Sequence, residues 1–131
     1  MEFEVSSALL DRLLLAAEVA FPLEACGLLL GGDGRIEEMR VCRNVHPEPA
    51  THFEIDPRAL IDAHRAARLG GEQVIGYWHS HPAGPPEPSA TDRAHRTGDG
   101  RVWAIVGEGK VGWWRDGPDG FEVLSSRLPA R

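Results

Sequence analysis

Two histidines, a serine and an aspartate within one short stretch of the chain could form a catalytic metal site. His79 and His81 are separated by a single residue, and Ser89 and Asp92 follow soon after them. Two imidazole nitrogens and one carboxylate supply three ligands and leave a fourth tetrahedral position for water, which is the pattern of catalytic rather than structural zinc. Iron or manganese can occupy such a site, but this donor set favours Zn2+.

The residues before the histidines predict a β-strand that carries both of them. The apolar run of residues 74–78 leads directly into His79, and alternate side chains of a strand point to the same face. His79 and His81 should therefore project together, while Ser80 faces the other side and is interpreted as a structural residue. Pro82 is expected to end the strand, because proline cannot donate a ladder hydrogen bond.

A proline-rich loop and the start of a helix are predicted to return Asp92 to the end of this strand. Residues 82–88 contain four prolines and a glycine, so they are expected to form a loop. Ser89 should open a helix, with Asp92 in its first turn. The same two residues also fit a plain capping box. Taken together with the two histidines, they favour a metal site.

An upstream segment completes a pattern that resembles a known family. The sequence HSHP, followed by S-x-x-D, resembles the signature of the JAMM (MPN-plus or Mov34-type) zinc metallopeptidases, a deubiquitinase-like family with bacterial and archaeal relatives. Residues 22–31 match the family segment P-x-E-x-C-G-x-L-x-G and include Glu24. The resemblance extends through Asn44 and residues 53–57. The order Tyr77-Trp78 is reversed in many relatives.

The resemblance implies a role for each candidate residue. His79, His81 and Asp92 would hold Zn2+, which lowers the pKa of bound water to about 7. Glu24 would act as the general base that takes a proton from water and passes it to the leaving amine. Ser89 would donate a hydrogen bond to the developing oxyanion. Without the resemblance, Glu24 would be interpreted as an exposed carboxylate between a helix and a strand.

Length and composition limit the other functional classes. The 131 residues suit a single domain over residues 1–131, and the net charge of −6 argues against a nucleic-acid partner. No apolar run reaches the length of a membrane span, and the acidic start at Glu2 and Glu4 is unlike a signal peptide. We therefore expect a cytoplasmic protein without membrane contacts, and the oligomeric state stays open.

Helix and strand patterns alternate along the chain and predict an α/β fold of the α+β type. Helices are predicted from Ser6 or Ser7 to Pro22 and over residues 57–69. Further strands are predicted at residues 26–30, 36–45, 52–55, 101–106, 110–115 and 121–125. This pattern favours a mixed sheet with helices packed against it. The resemblance implies a curved, mostly antiparallel sheet flanked by helices, of the MPN and cytidine-deaminase-like type.

Several other residues are given structural interpretations. Cys26 and Cys42 are expected to be reduced thiols on neighbouring strands, because two cysteines do not make a disulfide scaffold. His95 lies one turn beyond Asp92 and is interpreted as a surface or packed histidine rather than a partner of the metal ligands. Trp103 is expected to be a core or sheet-face residue.

Three functional hypotheses of different classes follow. The resemblance implies a zinc peptidase or isopeptidase that cleaves the amide bond at the C-terminal Gly-Gly tail of a ubiquitin-like or sulfur-carrier protein. The alternatives are a zinc hydrolase of another small peptide or amide, and a non-enzymatic interaction module of the MPN type. A zinc deaminase is excluded, because the chain lacks the Pro-Cys-x-x-Cys element of that chemistry.

Overall fold

A computed structural model describes residues 2–128 of the chain, which form one eight-stranded sheet and three helices. The helices are α1 (Ser7–Ala20), α2 (Pro57–Arg68) and α3 (Ala90–His95). The strands are β1 (Glu2–Glu4), β2 (Cys26–Gly32), β3 (Arg35–Cys42), β4 (Gln73–Ser80), β5 (Val102–Gly107), β6 (Lys110–Asp116), β7 (Phe121–Val123) and β8 (Ser125–Arg127). Their order across the sheet is β7-β6-β5-β4-β2-β3-β1-β8.

The sheet is mixed, mostly antiparallel and curved, as predicted. Strand β2 pairs antiparallel with both β3 and β4, and β6 pairs antiparallel with β5 and β7. Parallel pairing joins β4 to β5 and β1 to β3 and β8. Consecutive strands β7 and β8 are separated only by Leu124, yet they pair at opposite ends of the strand order. The sheet must therefore curve round on itself.

Each face of the sheet has its own apolar cluster and its own helix. Leu9 and Leu13 of α1 pack in one cluster with Leu29, whereas Leu28 belongs to the second cluster with Ala63 of α2. Because Leu28 and Leu29 are neighbours on β2, their side chains point to opposite faces. The sheet is thus a central layer between two helices, and none of the helices within residues 2–128 is long and apolar enough to cross a membrane.

The two long helices begin where they were predicted, at a serine cap for α1 and with Pro57 in the first turn of α2. The Ser6 hydroxyl accepts a hydrogen bond from the Leu9 amide at 3.1 Å, which satisfies one free donor of the first turn of α1. The Asp56 carboxylate accepts one from the Arg58 amide at 3.0 Å, and Pro57 occupies the first turn of α2. Proline fits there because its missing amide proton would have no partner.

The strand predicted over residues 52–55 is wrong. Only an isolated bridge between Asn44 and Ile55 forms there. Two backbone hydrogen bonds flank this bridge, from the Val45 amide to the Glu54 carbonyl at 2.9 Å and from the Asp56 amide to the Arg43 carbonyl at 3.0 Å. The Asn44 side chain makes the next contacts: its oxygen accepts from the Glu54 amide at 3.0 Å, and its nitrogen donates to the His52 carbonyl at 3.0 Å. A side chain that satisfies the backbone in this way competes with strand pairing. For the same reason β3 ends at Cys42 instead of continuing to residue 45.

The cysteines lie directly opposite one another on β2 and β3, in agreement with the prediction of neighbouring strands. Both are free thiols; Cys26 is fully buried and Cys42 half-buried. Burial raises the pKa of the Cys26 thiol to about 12. A thiol that stays protonated at neutral pH is a poor nucleophile, so Cys26 is a core residue.

Candidate metal centre

Three side chains from two elements converge on one point at the end of β4. The Nε2 atoms of His79 and His81 lie 3.1 Å apart, and an Asp92 carboxylate oxygen lies 3.2 Å and 3.1 Å from them respectively. These are the three residues that the sequence singled out as a metal-binding group. Within residues 2–128 they also form the one group of three or more histidine, cysteine or acidic side chains arranged so that it could hold a metal ion.

The donor set fits zinc. Ligands at about 2.0–2.1 Å in a tetrahedral site are separated by roughly 3.3 Å, which is close to the separations observed among His79, His81 and Asp92. Two ring nitrogens that face each other across 3.1 Å can share at most one proton. At least one of these two Nε2 atoms therefore has no proton, and its lone pair points to the position between the two rings, as the lone pair of a metal ligand does. Two imidazoles and one carboxylate also match the three-ligand class of catalytic zinc sites.

The proline-rich loop holds His81 in its orientation. The His81 amide donates to the Val106 carbonyl at 2.7 Å, and ring atom Nδ1 lies 2.8 Å from the Pro85 carbonyl oxygen. A carbonyl accepts only from a protonated nitrogen, so this contact places the proton on Nδ1 and leaves Nε2 free to bind a cation. The Trp114 indole donates to the Pro86 carbonyl at 3.2 Å and fixes the loop on the β5–β6 hairpin.

The same loop requires a glycine in β5. A Cβ atom on Gly107 would lie 2.5 Å from the Gly84 carbonyl oxygen, closer than real Cβ atoms come to a neighbour. The loop therefore packs directly on the strand backbone, a close approach that only glycine permits.

Ser89 and Asp92 form the capping box, and Asp92 belongs to the metal-binding group at the same time. The Ser89 amide donates to the Asp92 carboxylate, and the Asp92 amide donates to the Ser89 hydroxyl, both at 3.0 Å. The sequence left open whether these residues form a helix capping box or part of a metal site, and the structure shows that the two arrangements are compatible. Burial acts to raise the pKa of Asp92, but hydrogen bonds from His79 and His81 outweigh it and hold that pKa below its usual range.

His79 is packed inside an aromatic environment. Its ring stacks on Phe53 with centroids 4.2 Å apart, and Trp103 meets it edge-on at 5.7 Å. Burial lowers the pKa of His79, and a neutral imidazole is the form that binds a metal. The sequence did not predict that Phe53 and Trp103 contact a candidate ligand, because these residues lie far from His79 along the chain.

Glu24 lies between α1 and β2 with a buried side chain. Its amide donates to the Pro49 carbonyl at 2.8 Å, and its carbonyl accepts from the Asn44 side chain at 3.1 Å. Burial raises the pKa of the Glu24 carboxyl to about 7, while the nearby His81 opposes that rise and Asp92 adds to it. The carboxyl group is thus close enough to both candidate ligands to interact with their charges.

Ser80 connects the Glu24 segment to the histidine-bearing strand. Its hydroxyl accepts from the Ala25 amide at 2.8 Å, and its own amide donates to the Ala25 carbonyl at 3.0 Å. Because Ala25 directly follows Glu24, this pair of bonds fixes the distance between Glu24 and the histidines on either side of Ser80. The structural role predicted for Ser80 is confirmed by these contacts.

The remaining histidines lie outside the metal-binding group. His95 is exposed, in agreement with its interpretation as a surface residue. Its Nδ1 lies 2.8 Å from the Thr91 carbonyl oxygen. His46 and His52 stack on each other with centroids 4.6 Å apart in the loop after β3. This loop is the part of the chain that Asn44 organises, a positioning role that the sequence alone did not reveal.

The fold and the site together define a family. Residues 6–116 match the model of the prokaryotic homologs of the JAB domain, and the chain belongs to this family. The resemblance to the JAMM and MPN proteins is thereby confirmed.

Three related proteins are similar over part of their length. A desampylase of Haloferax volcanii is 37% identical over 64% of this chain and 62% of its own length. A desampylase of Pyrococcus furiosus is 34% identical over 74% of this chain and 69% of its own. A Thermus thermophilus protein named "Probable TtuB-protein conjugate cleaving protease" is 39% identical over 54% of this chain and 47% of its own. The first alignment therefore covers just under two thirds of that relative.

Solved structures support the fold. A protein of Desulfitobacterium hafniense superposes with a TM-score of 0.84 at 28% identity, covering 100% of this chain and 94% of that protein. A JAB1/MPN domain protein of Archaeoglobus fulgidus superposes with a TM-score of 0.61 at 22% identity, covering 95% and 96%. The predicted MPN-type architecture is therefore confirmed.

Proposed function

We propose that this protein is a zinc-dependent peptidase or isopeptidase that hydrolyses the amide bond at the C-terminal Gly-Gly tail of a ubiquitin-like or sulfur-carrier protein. The observation that carries the proposal is the convergence of His79, His81 and Asp92 beside a buried Glu24. The names of the related proteins, desampylase and conjugate-cleaving protease, support this substrate class.

His79, His81 and Asp92 would hold the zinc ion. When bound, zinc lowers the pKa of a coordinated water toward about 7 and polarises a carbonyl oxygen. The protein's own contribution is to direct the Nε2 atoms of both imidazoles at one point and to keep Asp92 ionised. The Pro85 carbonyl supports the first condition at His81, and the hydrogen bonds to the carboxylate support the second.

Glu24 would move the proton. Hydrolysis forms a bond from water oxygen to the carbonyl carbon and breaks the bond from that carbon to nitrogen, so one proton must travel from water to the leaving amine. A buried carboxyl group beside the candidate ligands can accept this proton and pass it to the amine, which contributes typically ~10²–10⁴ in rate. Burial of the Glu24 side chain keeps bulk water from competing for that proton.

Ser89 would stabilise the developing oxyanion. Its hydroxyl oxygen accepts from the Asp92 amide through a lone pair, so the hydroxyl hydrogen stays available to donate. A donor fixed by a helix cap needs no reorganisation when charge develops on the substrate oxygen, and this is the condition for strong electrostatic stabilisation.

The first experiment is a cleavage assay followed by intact-mass spectrometry. Zinc-loaded protein is incubated with a bacterial sulfur-carrier protein that carries a short peptide after its Gly-Gly tail. We expect cleavage after the second glycine, and loss of that cleavage in Glu24→Gln at equal zinc content. Glu18→Gln on the exposed side of α1 is the matched control and should cleave normally.

Two results would contradict the proposal. Absence of cleavage by zinc-loaded wild-type protein would reject this substrate class and favour another small peptide or amide. Full activity of Glu24→Gln would reject the assigned role of Glu24. A domain that binds the sulfur-carrier protein without cleaving it would favour an interaction module.

A further inference from the structure

A cavity lies beside the candidate metal centre, on the face of the sheet that α2 covers. Its volume is about 340 Å³, and both Glu24 and Asp92 line its wall. Cavities for small ligands begin at about 300 Å³, so this one has room for an amino-acid side chain. Because Glu24 and Asp92 line its wall, a group bound in the cavity would lie next to the candidate metal centre.

The inner wall of the cavity is apolar and rigid. Phe53, Leu60, Tyr77 and Trp103 contribute to it. Trp103 is held from behind by Phe121, with ring centroids 4.9 Å apart. Aromatic rings that are fixed in this way offer a large contact area at a small cost in conformational entropy. The wall is suited to an apolar or aromatic group.

Two polar atoms on these wall residues have no partner within the protein. Among residues 2–128, the Tyr77 hydroxyl and the Trp103 indole N–H make no hydrogen bond, whereas the indoles of Trp78 and Trp114 each donate to a carbonyl at 3.1 and 3.2 Å. Tryptophan and tyrosine normally find a partner when they are buried. Trp103 is 7% exposed, and no buried side-chain polar atom of the described residues lacks a partner. Its unpaired N–H therefore reaches solvent and is open to an acceptor that displaces water.

The charges around the cavity select against an anionic occupant. Glu54 lines it in addition to Glu24 and Asp92, and the described residues that line it include no lysine or arginine, although His46, His52 and His95 also contribute. Asp99 lines it too, but its carboxylate is paired with Arg101 at 3.4 Å. An amine released at Glu24 would suit these carboxylates, whereas a carboxylate side chain would be repelled.

Neither glycine of the Gly-Gly tail has a side chain that could contact the apolar wall of this cavity. We propose that the cavity binds the side chain of the residue that follows the Gly-Gly tail, and that it selects a large apolar or aromatic residue there. This inference rests on the proposed function for the identity of the substrate. The acidic rim would meet the amine of that residue, and the wall of Phe53, Leu60 and Trp103 would meet its side chain.

Leu60 offers a way to change the cavity without touching the candidate ligands. It lies on α2 and lines the cavity, so Leu60→Trp should fill the space. The next residue on the helix, Ile61, is 61% exposed and does not line the cavity. Ile61→Trp is therefore the matched control for any effect of a tryptophan on α2.

The cleavage test varies the residue after the tail. Fusions of a sulfur-carrier protein carry Phe, Leu, Ala or Asp at that position, and kcat/KM is measured for each at equal zinc content. We expect Phe and Leu to exceed Ala by about 10–100-fold, and Asp to be poorest. Leu60→Trp should remove the advantage of Phe, and Ile61→Trp should retain it. Equal rates for all four fusions, or a preference that follows the residue before the tail, would overturn the inference.

A binding test separates this inference from the proposed function. Phenylalaninamide and alaninamide are titrated into the zinc-loaded protein while the four indole N–H signals are followed by NMR, with Trp103→Phe used to assign one of them. We expect phenylalaninamide alone to shift the Trp103 signal, and Leu60→Trp to prevent the shift. If no fusion is cleaved but this shift occurs, the proposed substrate is wrong and the apolar side-chain site stands. If no shift occurs, the inference is wrong whatever the cleavage assay shows.

Discussion

Replacement of Glu24 by glutamine should alter how the stability of the zinc-free protein depends on pH. Burial raises the pKa of this carboxyl from 4.5 to about 7, so the folded protein holds the proton more tightly than the unfolded chain does. Below pH 4.5 Glu24 is protonated in both the folded and the unfolded chain, so it does not lower the free energy of unfolding. As the pH rises from 4.5 to 7, ionisation favours the unfolded chain and stability falls.

The size of the effect follows from the two pKa values. Each pH unit between them costs about 1.4 kcal/mol, which gives about 3 kcal/mol above pH 7 as an upper value. Glutamine has nearly the same shape and no ionisation. Glu24→Gln should therefore match the wild type near pH 4 and exceed it in stability by about 2–3 kcal/mol at pH 8.

Urea unfolding in the presence of a chelator, followed by tryptophan fluorescence between pH 4 and 8, measures this difference. Glu18→Gln serves as the control, because that side chain is exposed and should give a curve parallel to the wild type. Parallel curves for Glu24→Gln and wild type would refute the reasoning, since they would mean that Glu24 ionises alike in the folded and unfolded states.

Three further substitutions test how the site is built. Asp92→Asn should weaken zinc binding by more than about 100-fold, since mutating a residue that merely supports a ligand already costs about 10–100-fold in affinity. Competition with a chelator measures the zinc affinity. An unchanged affinity would mean that Asp92 is not a ligand. Ser80→Ala should destabilise the protein by about 1–3 kcal/mol in urea unfolding, because the buried Ala25 amide loses its acceptor, and a loss below about 0.5 kcal/mol would show that another acceptor replaces it. Gly27→Ala should prevent native pairing, since its Cβ would overlap the Arg40 carbonyl, and a native thermal transition would contradict this.

The spacing of the polar residues made the metal-binding group predictable. Two histidines at alternate positions of a strand share a face by the geometry of the extended chain. Ser89 and Asp92 are placed by the start of a helix, since a capping box fixes both side chains within one turn. These relationships are local, and they therefore hold whatever the remainder of the chain does.

The interpretation of Glu24 needed more than local pattern. A carboxylate between a helix and a strand is exposed in most settings, and only the family resemblance favoured a catalytic role. The structure shows the side chain to be 8% exposed and its backbone held by Asn44 and Pro49. Those contacts come from a loop that lies about twenty residues further along the chain, beyond the reach of periodicity arguments.

The loop after β3 is where local reasoning was wrong. Residues 52–55 have strand-like composition, but pairing is limited to one bridge between Asn44 and Ile55. Beyond that bridge the Asn44 side chain binds the backbone of His52 and Glu54. β1 and β8 were not predicted because three residues carry too little pattern. The pairing of β1 with β8 depends on the curvature of the whole sheet, since every other strand lies between these two strands along the chain.

The helices, most of the strands and the three candidate ligands were predictable from the sequence, because they depend on side-chain period, capping and spacing over a few residues. The proximity of Glu24 to the ligands, the packing of Phe53 and Trp103 on His79, and the cavity beside them are visible only in the folded chain. Distances between segments far apart in the chain are set by sheet order and packing. Sheet order and packing cannot be predicted from a local sequence pattern, because burial and proximity arise only when distant segments share one core.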